Sequence, residues 1–145
     1  MTRAILVDLG KVLVGFDHQV TCDHIAGATG TSASWSFERK LAAWRDIFQP
    51  LPEAMAALAR VRPAVRRVLV SNTNVLHWEG VLRVFDPSEH FDALVLSFRI
   101  GAVKPESEFW EAALAAAGCA PGECLYADDR AELVAAAAAR GIPGF

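Results

Sequence analysis

Three things are missing from this sequence: a long basic run, a C-x-x-C pair, and an apolar stretch of membrane-spanning length. The first absence, with a formal net charge of -3, leaves neither a nucleic-acid groove nor an anionic membrane surface indicated as a partner. Arginines gather only at Arg60, Arg62, Arg66 and Arg67, which read as a solvated helix end running into a strand. The second absence bears on cysteine. Cys22, Cys119 and Cys124 are odd in number and lack metal-site spacing, which argues against a disulfide or zinc framework and for reduced thiols in a cytoplasmic protein. Each is expected to be a small packing residue. The third absence argues against a membrane helix. Asp8 interrupts the apolar start, so no secretory leader is expected.

What the chain does have is 145 residues, 53% of them hydrophobic, enough for one domain with a real core and no disulfides. Much of that apolar fraction is alanine, so the helices are expected to pack close to their neighbours. Short apolar runs recur and end in polar residues. Ala4 to Val7 ends in Asp8 and Gly10, Val68 to Val70 ends in Ser71 and Asn72, Ala93 to Leu96 ends in Ser97, and Cys124 to Ala127 ends in Asp128 and Asp129. Buried parallel strands have this form. A fifth such run begins at Ile142.

Helical patterns lie between the runs, over Pro52 to Arg60, Val75 to Val84, Glu106 to Ala117 and Arg130 to Arg140. Pro105 suits a helix start and Gly118 a helix stop. Strands alternating with helices predict an α/β fold with a parallel sheet covered on both faces. About fifty residues separate the first two strands, more than one crossover needs. The excess predicts a small helical insert over the sheet's C-terminal edge. A helix starts near Asp17 and runs to Ala26, and an amphipathic one runs from Trp35 to Phe48, with Trp35, Leu41, Trp44 and Phe48 on one face. The division expected is a core of residues 1–15 and 52–145, with an insert of residues 16–51.

Ligands of open α/β sheets bind beyond the carboxyl ends of the strands. Those ends carry Asp8, Ser71, Asp128 and Asp129, and Lys104 falls in the loop after the third strand. Each has an ordinary structural reading. Asp8 fits a tight turn before Gly10, Ser71 and Asn72 fit a helix start, Lys104 fits a surface, and Asp128 or Asp129 fits a helix cap. Taken together on one sheet edge they make a coherent chemistry. Three carboxylates near one point repel unless a cation lies between them, and donors that are all oxygen favour Mg2+. Ser71, Asn72 and the amides that follow can hold phosphate oxygens at a helix start. Lys104 can offset the charge of phosphate and carboxylate alike. His24, His77 and His90 show no ligand spacing and are expected at the surface or in packing.

The segments AILVDLGKVLVGFD, LVSNTN, GAVKPE and LYADD occur in the order and rough spacing of the four motifs of the haloacid dehalogenase-like (HAD) hydrolases. They resemble the bacterial branch that includes sugar-phosphate phosphatases of the glucose-1-phosphatase type. The resemblance covers Thr2 to about Phe16 and about Pro63 onward. It implies a Rossmannoid three-layer sandwich with a reduced helical cap after the first strand. It implies that Asp8 is the nucleophile that takes up the phosphoryl group and a Mg2+ ligand, with the Gly10 carbonyl as a second ligand. Asp129 completes the set, with Asp128 beside it or through water. Ser71 and Lys104 would hold the phosphoryl group of a small phosphorylated substrate.

Four departures from the family pattern matter. Most phosphatases of the family carry an aspartate where Gly10 stands, and it protonates the leaving group. Losing such a group costs about a hundred- to ten-thousand-fold in rate. Substrates with good leaving groups are therefore expected. Related sequences with D-L-G at this point look like working phosphatases. Asp17 or His18 could supply a proton, although Asp17 also suits a helix cap. Lys11 stands where a smaller or neutral residue is common, and Leu133 stands where relatives often carry Asn. The insert is shorter than a full cap, so a second copy of the chain, meeting it through Trp35, Trp44 or Phe48, is a candidate cover. Two other functions stand beside this one: metal-independent haloacid dehalogenation, which Gly10 permits but Asp128 and Asp129 argue against because that chemistry needs no metal site, and a catalytically impaired binding or oligomeric module.

Overall fold

The computed structural model describes residues 1–16 and 48–145. Four strands form one sheet: β1 (Ala4–Val7), β4 (Arg66–Ser71), β5 (Ala93–Leu96) and β6 (Cys124–Ala127). They are parallel and lie in the order β5-β4-β1-β6. The chain builds outward from β1 on one side, then crosses to the other for β6. The strand order therefore reverses beside β1, which is where open parallel sheets bind ligands. The run expected from Ile142 adds backbone pairing beyond β6, with Tyr126 N–H donating to Pro143 O at 2.8 Å and Phe145 N–H to Tyr126 O at 3.0 Å.

Side-chain alternation along the strands gives the sheet two buried faces. Leu6, Val68, Val70, Val95 and Tyr126 face one way, against Phe109, Trp110 and Ala113 of α4 (Ser107–Ala117) and Leu133 and Ala137 of α5 (Ala131–Ala138). Val7, Leu69 and Leu96 face the other way, against Leu58 of α1 (Pro52–Ala59) and Trp78 and Val81 of α2 (Val75–Val84). Two helical layers around one parallel sheet make the three-layer sandwich. Helix ends follow local chemistry. Asn74 caps α2 by accepting from His77 N–H at 3.0 Å, and Gly118 closes α4 at φ +65°. A one-turn helix, α3 (Ser97–Ile100), follows β5 and ends at Gly101, also left-handed. Among the described residues no helix is long and apolar enough to cross a membrane.

One expectation is corrected. Phe48 is not the end of an amphipathic helix. It begins β3 (Phe48–Pro50), which pairs antiparallel with β2 (Val14–Phe16) in a separate two-stranded sheet. Phe48 is buried with Val14 in the core beneath. Residues 16 and 48 are thus held side by side, Phe16 opposite Phe48. Asp17, His18, Cys22, His24, Trp35, Leu41 and Trp44, with the helices expected around them, lie outside the described residues.

Candidate active site

Strand ends and one loop converge on the Lys104 ammonium. Its Nζ donates to Asp8 Oδ1 at 2.6 Å, Asp128 Oδ2 at 2.7 Å, Tyr126 OH at 3.1 Å and Val70 O at 3.2 Å. These partners come from three adjacent strands, β1, β4 and β6, so the ammonium sits at the crevice where the strand order reverses. The Lys104 side chain is 1% exposed, as is that of Asp128, whereas Asp8 keeps 12% of its side chain open to the cavity.

The loop holding Lys104 is closed from both ends. Glu106 N–H donates to Val103 O at 2.7 Å, and Val103 N–H donates to Glu106 Oε2 at 2.9 Å. Asn72 fastens the same loop to the end of β4: its Nδ2 donates to Lys104 O at 3.0 Å and its Oδ1 accepts from Lys104 N–H at 2.7 Å. Asn72, expected to meet phosphate, lines the cavity and spends one donor and one acceptor of its carboxamide on the Lys104 main chain. Ser97 does similar work next to it, accepting from Thr73 N–H at 2.9 Å and donating to Thr73 O at 2.8 Å. Ser71 is buried at the end of β4 and lines the cavity.

That cavity, about 490 Å³, contains Asp8, Gly10, Ser71, Lys104, Asp128 and Asp129 together on its wall. All seven residues expected at the site line it, Asn72 included. Lys11 and Leu133 line it too. Lys11 sits in the left-handed region at φ +58°, a conformation that costs a non-glycine residue energy and recurs near functional sites. Leu133 is 3% exposed and belongs to the core under α5, so apolar packing stands where a polar support was missed. His77, expected at the surface or in packing, does both: it meets the Phe48 ring edge-on at 5.6 Å and forms part of the cavity wall. His90 stacks on Phe85.

Tyr126 is the site residue that sequence reading passed over as ordinary strand. Its hydroxyl donates to Asp128 Oδ2 and accepts from Lys104. Period-two alternation was the available signal, since a strand residue two before Asp128 points to the same side. Burial, and then the bond to Asp128, push the Tyr126 hydroxyl far above its ordinary range, so it stays protonated and donates. Asp128 Oδ1 accepts from Arg130 N–H at 2.9 Å, which fixes its second oxygen as well.

Burial raises the Asp8 carboxyl above the ordinary carboxylate range, outweighing the opposing pull of Lys104, and the neighbouring Asp128 adds to the rise. Carboxylate oxygens of Asp8, Asp128 and Asp129 lie within 4.8 Å of one another. Three carboxylates meet at this point around the one buried ammonium of Lys104, a local concentration of negative charge that suits a divalent cation. Every donor is oxygen, as Mg2+ prefers. Asp129 is exposed and makes no hydrogen bond or ion pair among the described residues, so it is free to turn to such an ion. The residues present fit Mg2+.

A family model described as haloacid dehalogenase-like hydrolase matches residues 3–141. Among solved structures, a HAD-family enzyme from Bacteroides thetaiotaomicron superposes with a TM-score of 0.87 at 21% identity, over 100% of this chain and 93% of that one. A HAD-like hydrolase from Porphyromonas gingivalis superposes at 0.77 and 20% identity, over 100% and 90% of the two chains. An L-2-haloacid dehalogenase from Xanthobacter autotrophicus superposes at 0.74 and 18% identity, over 99% and 76%.

Proposed function

The chain belongs to the haloacid dehalogenase-like hydrolases, and from that premise we propose that it is a Mg2+-dependent phosphatase acting on a small phosphorylated metabolite through Asp8. The observation that carries this reading is the Lys104 ammonium held at 2.6 Å from Asp8, beside an acidic cluster, in a cavity of metabolite size. The Bacteroides relative was crystallised with magnesium and inorganic phosphate, which supports a site for the same pair here.

In the first step an Asp8 carboxylate oxygen attacks phosphorus and the bond from phosphorus to the substrate oxygen breaks, leaving a phosphoryl group on Asp8. Lys104 holds Asp8 in place and offsets the charge that gathers on the phosphoryl oxygens. Ser71 offers a hydroxyl to those oxygens from the end of β4. Mg2+, held by Asp8, the Gly10 carbonyl and Asp129 with Asp128 behind it, would neutralise phosphate charge. In the second step water attacks the phosphorus and releases phosphate, restoring Asp8.

Gly10 supplies no side-chain acid, so the departing oxygen leaves as an anion or takes a proton from water. Acyl phosphates, aryl phosphates and sugar 1-phosphates are accordingly the favoured substrates, and breakdown of the phosphorylated Asp8 is slow. Equal turnover of alkyl and aryl phosphates, with chemistry limiting, would exclude this leaving-group rule. The test of the function itself is phosphate release from p-nitrophenyl phosphate with Mg2+, wild type against Asp8→Asn. Wild type above the variant supports the phosphatase. Equal background rates favour the catalytically impaired module, the reading to which Gly10 lends weight. Chloride release from a 2-haloacid, unchanged by EDTA, would favour a dehalogenase, a chemistry that needs no metal beside Asp128 and Asp129.

A further inference from the structure

The hydrogen-bond count around Lys104 assigns a job to Tyr126 that neither the acidic cluster nor the phosphoryl site explains. Lys104 has three N–H donors and is offered four acceptors within 3.2 Å. It would be satisfied without Tyr126. Asp128 is served differently: its Oδ2 receives both Lys104 and the Tyr126 hydroxyl, and its Oδ1 receives Arg130 N–H. Both carboxylate oxygens of Asp128 are thus engaged by protein donors. Asp129, one residue on, is exposed and makes no such bond among the described residues.

We propose that Tyr126 is a positioning residue that divides labour between the two adjacent acids: its hydroxyl pins Asp128 to Lys104, which keeps the ammonium on Asp8 and leaves Asp129 as the carboxylate that turns to a cation. The proposal rests on the phosphatase reading of the same site. Its geometry is rigid enough for the task. Tyr126 is fully buried, pairs in register with Leu6 two residues before Asp8, and is braced edge-on by the Trp110 ring at 5.1 Å. Without the hydroxyl, Asp128 Oδ2 keeps Lys104 as its one donor among the described residues. The carboxylate is then free to swing toward the cation and draw Lys104 off the nucleophile.

The test is Tyr126→Phe, which keeps the ring and its contact with Trp110 and so is expected to fold. At saturating Mg2+ its kcat on p-nitrophenyl phosphate falls on the order of tenfold, the worth of one hydrogen bond in a charged buried network, while KM changes little. Its Ca2+ affinity, measured by calorimetry, rises relative to Mg2+, because a freed third carboxylate suits the larger ion with more ligands. A merely structural loss would lower thermal stability and weaken both ions together. Tyr126 is also the only tyrosine in the chain, so the tyrosine ring doublet of the Raman spectrum reports on this hydroxyl alone. It is expected to shift in Asp128→Asn and in Lys104→Met. Unchanged kcat and ion preference in Tyr126→Phe overturn the proposal, as does an unmoved doublet in both other variants. If wild type neither binds Mg2+ nor releases phosphate, the phosphatase reading fails by itself. The doublet still decides, with no reference to catalysis, whether Tyr126 holds Asp128 and Lys104.

Discussion

At Asp8 two demands conflict. A nucleophile must be ionised, yet burial makes the ionised form unfavourable and lifts its carboxyl above the ordinary value of 3.8. The folded state of the metal-free protein therefore holds the Asp8 proton more tightly than the unfolded state does. The resulting stability is complete below pH 3.8 and is lost as pH rises through the folded value. Asp8→Asn removes the titrating group while keeping its shape. In metal-free buffer it should unfold at a higher urea concentration than wild type at pH 7 to 8, with the gap closing as pH falls toward 3.8. A gap that stays constant with pH would show that burial of this charge is not what the fold resists. Lys104→Met acts in the opposite sense. It strands two buried carboxylates, and breaking a buried pair from one side costs about 3–5 kcal/mol. At this scale the residues that bear charge at strand ends were legible from sequence, because a polar residue closing an apolar run stands out. Tyr126 and Asn72 were not. The Asn72 carboxamide acts on the main chain of a distant loop, which no local pattern announces, and the Tyr126 hydroxyl is signalled only by its place two residues before Asp128.

The elements that position the site differ in how they are held, and so in how they were seen. β1, β4, β5 and β6 are buried on both faces, and continuous apolar runs gave their positions away. β2 and β3 are three residues each, contain Gly15 and Pro50, and show no alternation, so the helical periodicity from Trp35 carried through to Phe48 in the reading. The pairing that overrides it is tertiary: Phe48 is buried against the body of the protein. Two joints between elements can be tested. Ser97 links the start of α3 to the segment after β4 by two bonds to Thr73. Ser97→Ala leaves the Thr73 amide and carbonyl without that partner, at a cost of about 1–3 kcal/mol. Because that segment follows Ser71, KM for the phosphorylated substrate should rise more than kcat falls, as steady-state kinetics would reveal. Gly144 lies against β6, where an added Cβ would come within 2.8 Å of Tyr126 O. That atom is backbone and cannot yield cheaply, so Gly144→Ala should destabilise by about 1–3 kcal/mol in urea unfolding. Gly122→Ala, whose Cβ would meet nothing within 4 Å, is the control and should be close to neutral.

For the whole molecule, the acidic cluster joins the two ends of the sequence. Asp8 follows the first strand, and Asp128 and Asp129 follow the last, so a cation between them ties together segments that meet only in the folded state. Binding that exists only in the native state must stabilise it by mass action, by about 2.7 kcal/mol when the free ion is at a hundred times its dissociation constant. For a domain of this size each kcal/mol moves Tm by roughly 2–4 °C, so Mg2+ should raise Tm by roughly 5–10 °C at that excess. The shift must depend on Mg2+ rather than on ionic strength, which an equal ionic strength of NaCl checks. Asp129→Asn is the decisive variant. Asp129 is exposed and unbonded among the described residues, so its loss should leave metal-free stability within about 0.5 kcal/mol of wild type. If Asp129 is the carboxylate that meets the ion, the same substitution abolishes most of the Mg2+ shift. Retention of the full shift in Asp129→Asn, with loss in Asp128→Asn, would reverse the roles of the two acids and place the ion on the inner side of Lys104.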